Sequence, residues 1–353
     1  MRTRIYWLAL ATLVGTATAQ AASIDGPRMG TVFDPAVKGL RPILGAPGAA
    51  VLGDPLGVGI ELTRAAVSPL QDYVITTTGE AQAVVLLNLG RSPIAVIPVP
   101  GADAAPDQIV LSPNGRAVAL YYKDRNRIQI LTGLPAAPKV STELMLSAGL
   151  SPSALAVGDD GSTVLAGIGH VVFLVTAHGE VPILNDLGQV AAMTVWQAAA
   201  GTVLPVRPVR DLQRDTGVAA PAVAVRQTAL VVDGAQNKIY RVNDVTGNAS
   251  TDILAGPGQG ISTPVGVAVS SDGHLAFVAN AKSGAIAILT LQGEGTVENI
   301  SCKCALTGLD RLAGDRVFRL TEPSNQPMWV LDAGAHTPRV VFVPANLARS
   351  GQK

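Results

Sequence analysis

Cysteine is almost absent from this chain: Cys302 and Cys304 are the only two in 353 residues. One pair cannot serve as a disulfide framework for a domain of this size. Aromatic residues reach only 4% and charged residues 15%. Lys+Arg and Asp+Glu are equal at 26 each, so the formal charge is zero. A balanced chain offers no electrostatic footprint for nucleic acid or an anionic membrane surface, and no nucleic-acid partner is expected. Beyond the first residues no apolar run could span a bilayer, and no helical periodicity is sustained. G-x-S-x-G, H-E-x-x-H, a phosphate-cradling P-loop and a G-x-G-x-x-G following a strand are all missing. These absences remove the helical class, membrane spans by apolar helices beyond the first residues, and the commonest hydrolase and nucleotide-binding signatures.

What the chain has is 37 Gly, 24 Pro and 48% apolar residues, a composition suited to many short strands joined by tight turns. It also repeats a phrase. Residues 265–289 read VGVAVSSDGHLAFVANAKSGAIAIL, 108–131 read QIVLSPNGRAVALYYKDRNRIQIL, and 153–175 read SALAVGDDGSTVLAGIGHVVFLV. Each copy is an apolar strand, an Asp- or Asn-Gly turn, a second apolar strand, a polar hairpin and a third strand. Such a unit cannot bury both of its faces alone, which predicts an all-β array of stacked four-stranded sheets, a β-propeller.

The first residues have the pattern of a targeting segment. Arg2 and Arg4 precede an apolar stretch, IYWLALATLV, and then small residues with two A-x-A cleavage patterns at 17–19 and 19–21. The apolar stretch is short for a spanning helix. The expectation is a signal peptide over 1–21, a single propeller domain over 22–353, export to the periplasm or the exterior, and no membrane span after cleavage.

Starts near residues 60, 109, 154, 192, 223, 266 and 317 give seven blades. If 207–221 is an insertion, the same series gives six; seven is favoured. Residues 30–48 resemble 238–258, the third strand, hairpin and outer strand of a later copy. The N-terminus is therefore expected to supply outer strands that complete the C-terminal blade and close the ring without an exposed edge.

SSDGHLAFVANAKSGAIAIL, at 270–289, resembles the YVTN-type propeller repeat, and ILAGPGQGISTPVGVAVSSDG, at 253–273, resembles the junction between NHL repeats. The chain as a whole is similar to exported bacterial propellers of that kind. The resemblance implies the fold; those families share no common activity, so it transfers little function.

Chemistry is thinly signalled. His178, His274 and His336 fall in hairpins and turns, where solvated residues are the rule. His170 begins a strand, with no Ser or Cys motif beside it to activate. Asp159, Asp160 and Asp272 sit in turns where Asn114 stands in another copy, which reads as turn chemistry, and the Ca²⁺-loop pattern is missing. The usual functional surface of a propeller is the mouth of its axial channel. By register, Glu61, Arg64, Asp107, Ser153, Gln189 and Asp310 are placed there, with Pro264 and Thr307. Gluconolactonase-like propellers hold a divalent metal at that mouth, and Glu61 and Asp107 are what this chain offers towards one. Arg207, Arg210 and Arg214 form the one locally basic stretch, a candidate partner-binding loop. Cys302 and Cys304 read as a local disulfide or as free thiols ahead of metal ligands, because zinc sites normally take four ligands. The favoured reading is an exported, non-catalytic binding or scaffold module without a cofactor, for a protein, glycan or envelope partner. The alternative is a metal-dependent lactonase-like hydrolase using a divalent cation in the channel.

Overall fold

A computed structural model describes residues 26–78, 83–89, 93–198, 226–292, 295–324 and 326–345. They form seven antiparallel sheets arranged as the blades of a propeller. Blade 1 spans 28–52 and has three strands; blades 2 to 7 span 62–98, 108–145, 154–184, 190–255, 264–301 and 310–343, and each has four. The second strands are the most buried. Tyr73–Thr78, Val118–Tyr122 and Leu275–Asn280 are covered along nearly their whole length, whereas outer strands such as Lys139–Met145 are largely exposed. Val, Ile, Leu and Ala dominate the clusters where neighbouring blades stack, and aromatic side chains are few. Phe277 of blade 6 meets Phe318 of blade 7 with ring centroids 4.6 Å apart.

The count of seven holds, but two of the expected blades are not where the repeat placed them. The segments starting near 192 and 223 are one blade: Val190–Ala198 pairs along its length with Arg226–Asp233. The stretch 207–221 lies between those two strands and outside the described residues. The seventh sheet comes instead from the N-terminus. Arg28–Asp34, Gly39–Ala46 and Ala49–Leu52 form a sheet of their own, and all four strands of the last blade come from 310–343. The expected completion of the C-terminal blade by N-terminal outer strands is corrected accordingly.

Blade 1 also has reversed polarity at the axis. Its first strand starts beside the turn of blade 7, where the Ala313 N–H donates to Met29 O at 2.8 Å. It ends at the opposite face, where the Leu62 N–H donates to Lys38 O at 3.2 Å. The inner strand of blade 2 runs the other way between the same levels. Asp34 explains the arrangement: like Asp233 of blade 5 it is buried at the end of its strand and accepts the N–H of the residue two on. Blade 1 thus corresponds to the second, third and outer strands of its sisters, and its first strand, Arg28–Asp34, the equivalent of their second, faces the axis.

Candidate functional site

The innermost strands of blades 2 to 7 run in one direction, which gives the ring two unlike faces. One carries the residues that lead into those strands. On it, Glu61 pairs with Lys38, both exposed. Arg64 donates to the main-chain carbonyl of Asp107, while the Asp107 carboxylate accepts the Lys123 N–H at 2.7 Å. Ser153 donates to Val190 O at 2.8 Å, tying blade 4 to blade 5. Gln189 is exposed, and its N–H donates to Asp233 Oδ1 at 3.2 Å. Asp310 is not on this face: it pairs in register with Arg319 as Val110 pairs with Ala119 in blade 3. It stands within its inner strand on the wall of the axial cavity, where its carboxylate holds Arg319, which also holds Glu322. Burial works against the Arg319 charge, but the two carboxylates more than offset it and raise its pKa. Of the six residues placed at the channel mouth, only Arg64 and Asp107 are hydrogen-bonded to one another. Arg207, Arg210 and Arg214 lie outside the described residues. Cys302 and Cys304 are joined by a disulfide in the segment leading into blade 7, with Cα atoms 5.1 Å apart.

The axial cavity has a volume of about 460 Å³ and is lined mainly by small apolar residues of the inner strands. Its polar members include Gln71, Asp310, Arg311 and Arg319. Arg311 is the most consequential. Its side chain is 8% exposed and donates to Val269 O of blade 6 and, at 3.5 Å, to Pro113 O of blade 3. Its own carbonyl accepts Gln71 Nε2 at 2.9 Å, and Gln71 Oε1 accepts the Thr31 N–H at 2.7 Å. Two side chains thereby knit blades 1, 2, 3, 6 and 7 across the axis. Burial lowers the Arg311 pKa, opposed by the charges of Asp315 and Asp159.

The other face is made of the turns that leave the inner strands. Ser112 and Ser270 explain the repeated phrase. Both are buried; Ser112 Oγ accepts the N–H groups of Arg116 and Ala117 at 3.0 and 3.1 Å, and Ser270 Oγ accepts that of Leu275 at 3.0 Å. Gly115 and Gly273 hold the left-handed positions, at φ 66° and 70°. The acidic turn residues do more than shape their own turns. Asp159 accepts the Asn114 N–H and Nδ2 of the neighbouring blade, both at 2.9 Å. Asp315 accepts the Ser271 N–H at 2.7 Å, and Arg316 reaches Asp272 at 3.0 Å. Burial would raise the Asp272 carboxyl, but the Ser270 hydroxyl, the His274 N–H and Arg316 hold it below the ordinary range. Reading these residues as turn chemistry missed their second role. The available signal was that Asn and Asp recur at the turn position of successive copies, where adjacent blades meet.

A smaller pocket of about 260 Å³ opens among these turns, between Asn114 and Arg116 of blade 3, Asp160 of blade 4, Trp196 and Gln197 of blade 5, and Ser271 of blade 6. The inner strand of blade 5, Val190–Ala198, is the longest of its kind and carries Trp196 and Gln197 to this face.

Ring, faces and cavity together define a seven-bladed β-propeller. Similar solved structures include a functionally unknown protein from Desulfotomaculum acetoxidans, at 12% identity and a TM-score of 0.55, over 89% of this chain and 94% of that one. A candidate 6-phosphogluconolactonase from Bacteroides uniformis matches at 14% and 0.54, over 90% and 96%. A virginiamycin B lyase from Staphylococcus aureus matches at 16% and 0.51, over 80% and 84%. No family model and no curated protein matches the chain. At such identities the likeness carries the fold alone.

Proposed function

We propose that the protein is an exported, non-catalytic propeller that binds or scaffolds an envelope partner, a protein or a glycan, and uses no cofactor. Export rests on the N-terminal pattern of a basic start, a short apolar stretch and A-x-A sites. The observation that carries the binding reading is the occupation of the axial polar groups. Arg311 and Gln71 are engaged with main-chain groups of other blades, and Arg319 is held between Asp310 and Glu322. A reaction centre needs convergent groups free to meet a substrate; here the groups bind the ring to itself. One observation favours the lactonase-like alternative: Asp310 remains 60% exposed beside the cavity. A panel of lactones and esters, assayed with added divalent cations and with chelator, separates the two. Uncatalysed rates throughout are expected. Turnover that chelator abolishes overturns the binding reading in favour of the metal-dependent one.

A further inference from the structure

The pocket on the turn face combines features that the repeat does not explain. Trp196 is 7% exposed, and its indole N–H has no hydrogen-bond partner among the described residues. Two more buried polar atoms near the same junction of blades 4 and 5 are unpartnered: Gln227 Oε1 and Thr163 Oγ1, on residues 5% and 0% exposed. Gln227 Nε2 lies 3.5 Å from Asp160 Oδ2, which ties this corner to the pocket wall. Native proteins rarely bury polar groups unpaired, and each such group calls for an explanation. A side chain at Gly273 would place its Cβ 3.1 Å from Trp196 Nε1. Gly273 therefore packs closely on the indole N–H edge, where a Cβ would crowd it.

We infer that this pocket binds a neutral sugar residue. The inference rests on the binding-module reading and selects its glycan branch. A sugar hydroxyl both donates and accepts, which matches the mixed set of an indole N–H donor, carboxylate and amide acceptors, and the Ser271 hydroxyl. The wall carries Asp159 and Asp160 against Arg116; both Asp159 oxygens are taken by Asn114, which leaves Asp160 and Arg116, one charge of each sign, to meet a ligand. Pro113 adds apolar surface for the C–H face of a ring. The site also falls where the copies differ, because no sister blade extends its inner strand to carry a Trp to this face.

The test is titration of the full chain with glucose, galactose, N-acetylglucosamine and chitobiose, with inorganic phosphate and trialanine as counter-probes. Calorimetry and ¹⁵N-resolved indole N–H resonances are the readouts, with the Trp196 resonance assigned by its loss in Trp196→Phe. One or more sugars are expected to bind at a single site and shift that resonance. Asp160→Asn and Trp196→Phe are each expected to weaken binding by about tenfold, the loss of one useful hydrogen bond. If Trp196→Phe fails to fold, the wild-type resonance still decides, with assignment by elimination using Trp7→Phe and Trp329→Phe, which remove the other two indoles. The inference is overturned if no sugar binds at millimolar concentration, if a sugar binds without moving the Trp196 resonance, or if only phosphate or trialanine moves it. Failure here with a negative lactone screen leaves the broader binding reading standing; lactone turnover removes that reading whatever the sugars do.

Discussion

Asp159 of blade 4 receives two hydrogen bonds from Asn114 of blade 3, one from the main-chain N–H and one from the side-chain amide, both 2.9 Å. The two residues occupy matching turns in successive copies, so a feature repeated along the chain becomes a staple around the ring. Asp159→Ala leaves two donors without their acceptor and is expected to cost about 1–3 kcal/mol. Asp159→Asn keeps one acceptor oxygen and is expected to cost less. Urea unfolding checks this: the midpoint falls in that order while the slope stays unchanged.

That staple marks the boundary of what the sequence disclosed. Alternating strands define each blade internally, with Ser-x-[Asn/Asp]-Gly turns in blades 3 and 6, and those were legible because both partners lie within one copy. Contacts around the ring join residues such as Gln71 and Arg311, 240 positions apart, and no local period reports them. Blade 5 misled for a related reason: a long segment separates its first two strands, so one blade read as two starts. The N-terminal likeness to a later copy reads residues 30–48 as a third and an outer strand of the last blade. They are the first two strands of a separate one, because a short apolar strand–hairpin–strand reads alike at any position in a blade. At the candidate sugar site, Trp196 carried no signal, because its position is special only once the extra length of its strand is seen.

Tyr73 should shape the alkaline limb of stability. Its phenol is buried and donates to Gly115 O of the next blade. Burial, with the charges of Asp72 and Asp159, raises its pKa well above the ordinary tyrosine value. A group that must stay protonated in the fold contributes fully below its unfolded pKa of about 10 and loses that contribution as pH rises beyond it. Tyr73→Phe is expected to cost about 1 kcal/mol at neutral pH and to flatten the alkaline decline. Asp272 acts at the other end. Its folded pKa is depressed, so its contribution is full above the ordinary carboxylate range and fades as pH falls through the folded value. Asp272→Asn should flatten the acid limb in pH-dependent thermal unfolding.

The Cys302–Cys304 bridge closes a loop with a single residue between its ends. The entropy removed from the unfolded chain by so short a loop amounts to about 2 kcal/mol or less. Cys302→Ser with Cys304→Ser is therefore expected to leave the propeller folded, with unchanged strand content by circular dichroism and a modestly lower melting midpoint. Loss of the folded state would mean that this segment does more than connect blades 6 and 7.

The central claim is that the buried polar groups of the axial cavity, Arg311 foremost, hold the ring together. Arg311 is the residue on which it turns, since its bonds to Val269 O and Pro113 O span three blades. Thermal unfolding of Arg311→Ala tests it most directly. Hydrogen bonds to a charged group contribute about 1.5–3 kcal/mol, so a midpoint several degrees below wild type is predicted, with native strand content retained below the transition. A midpoint equal to that of the wild type would contradict the claim.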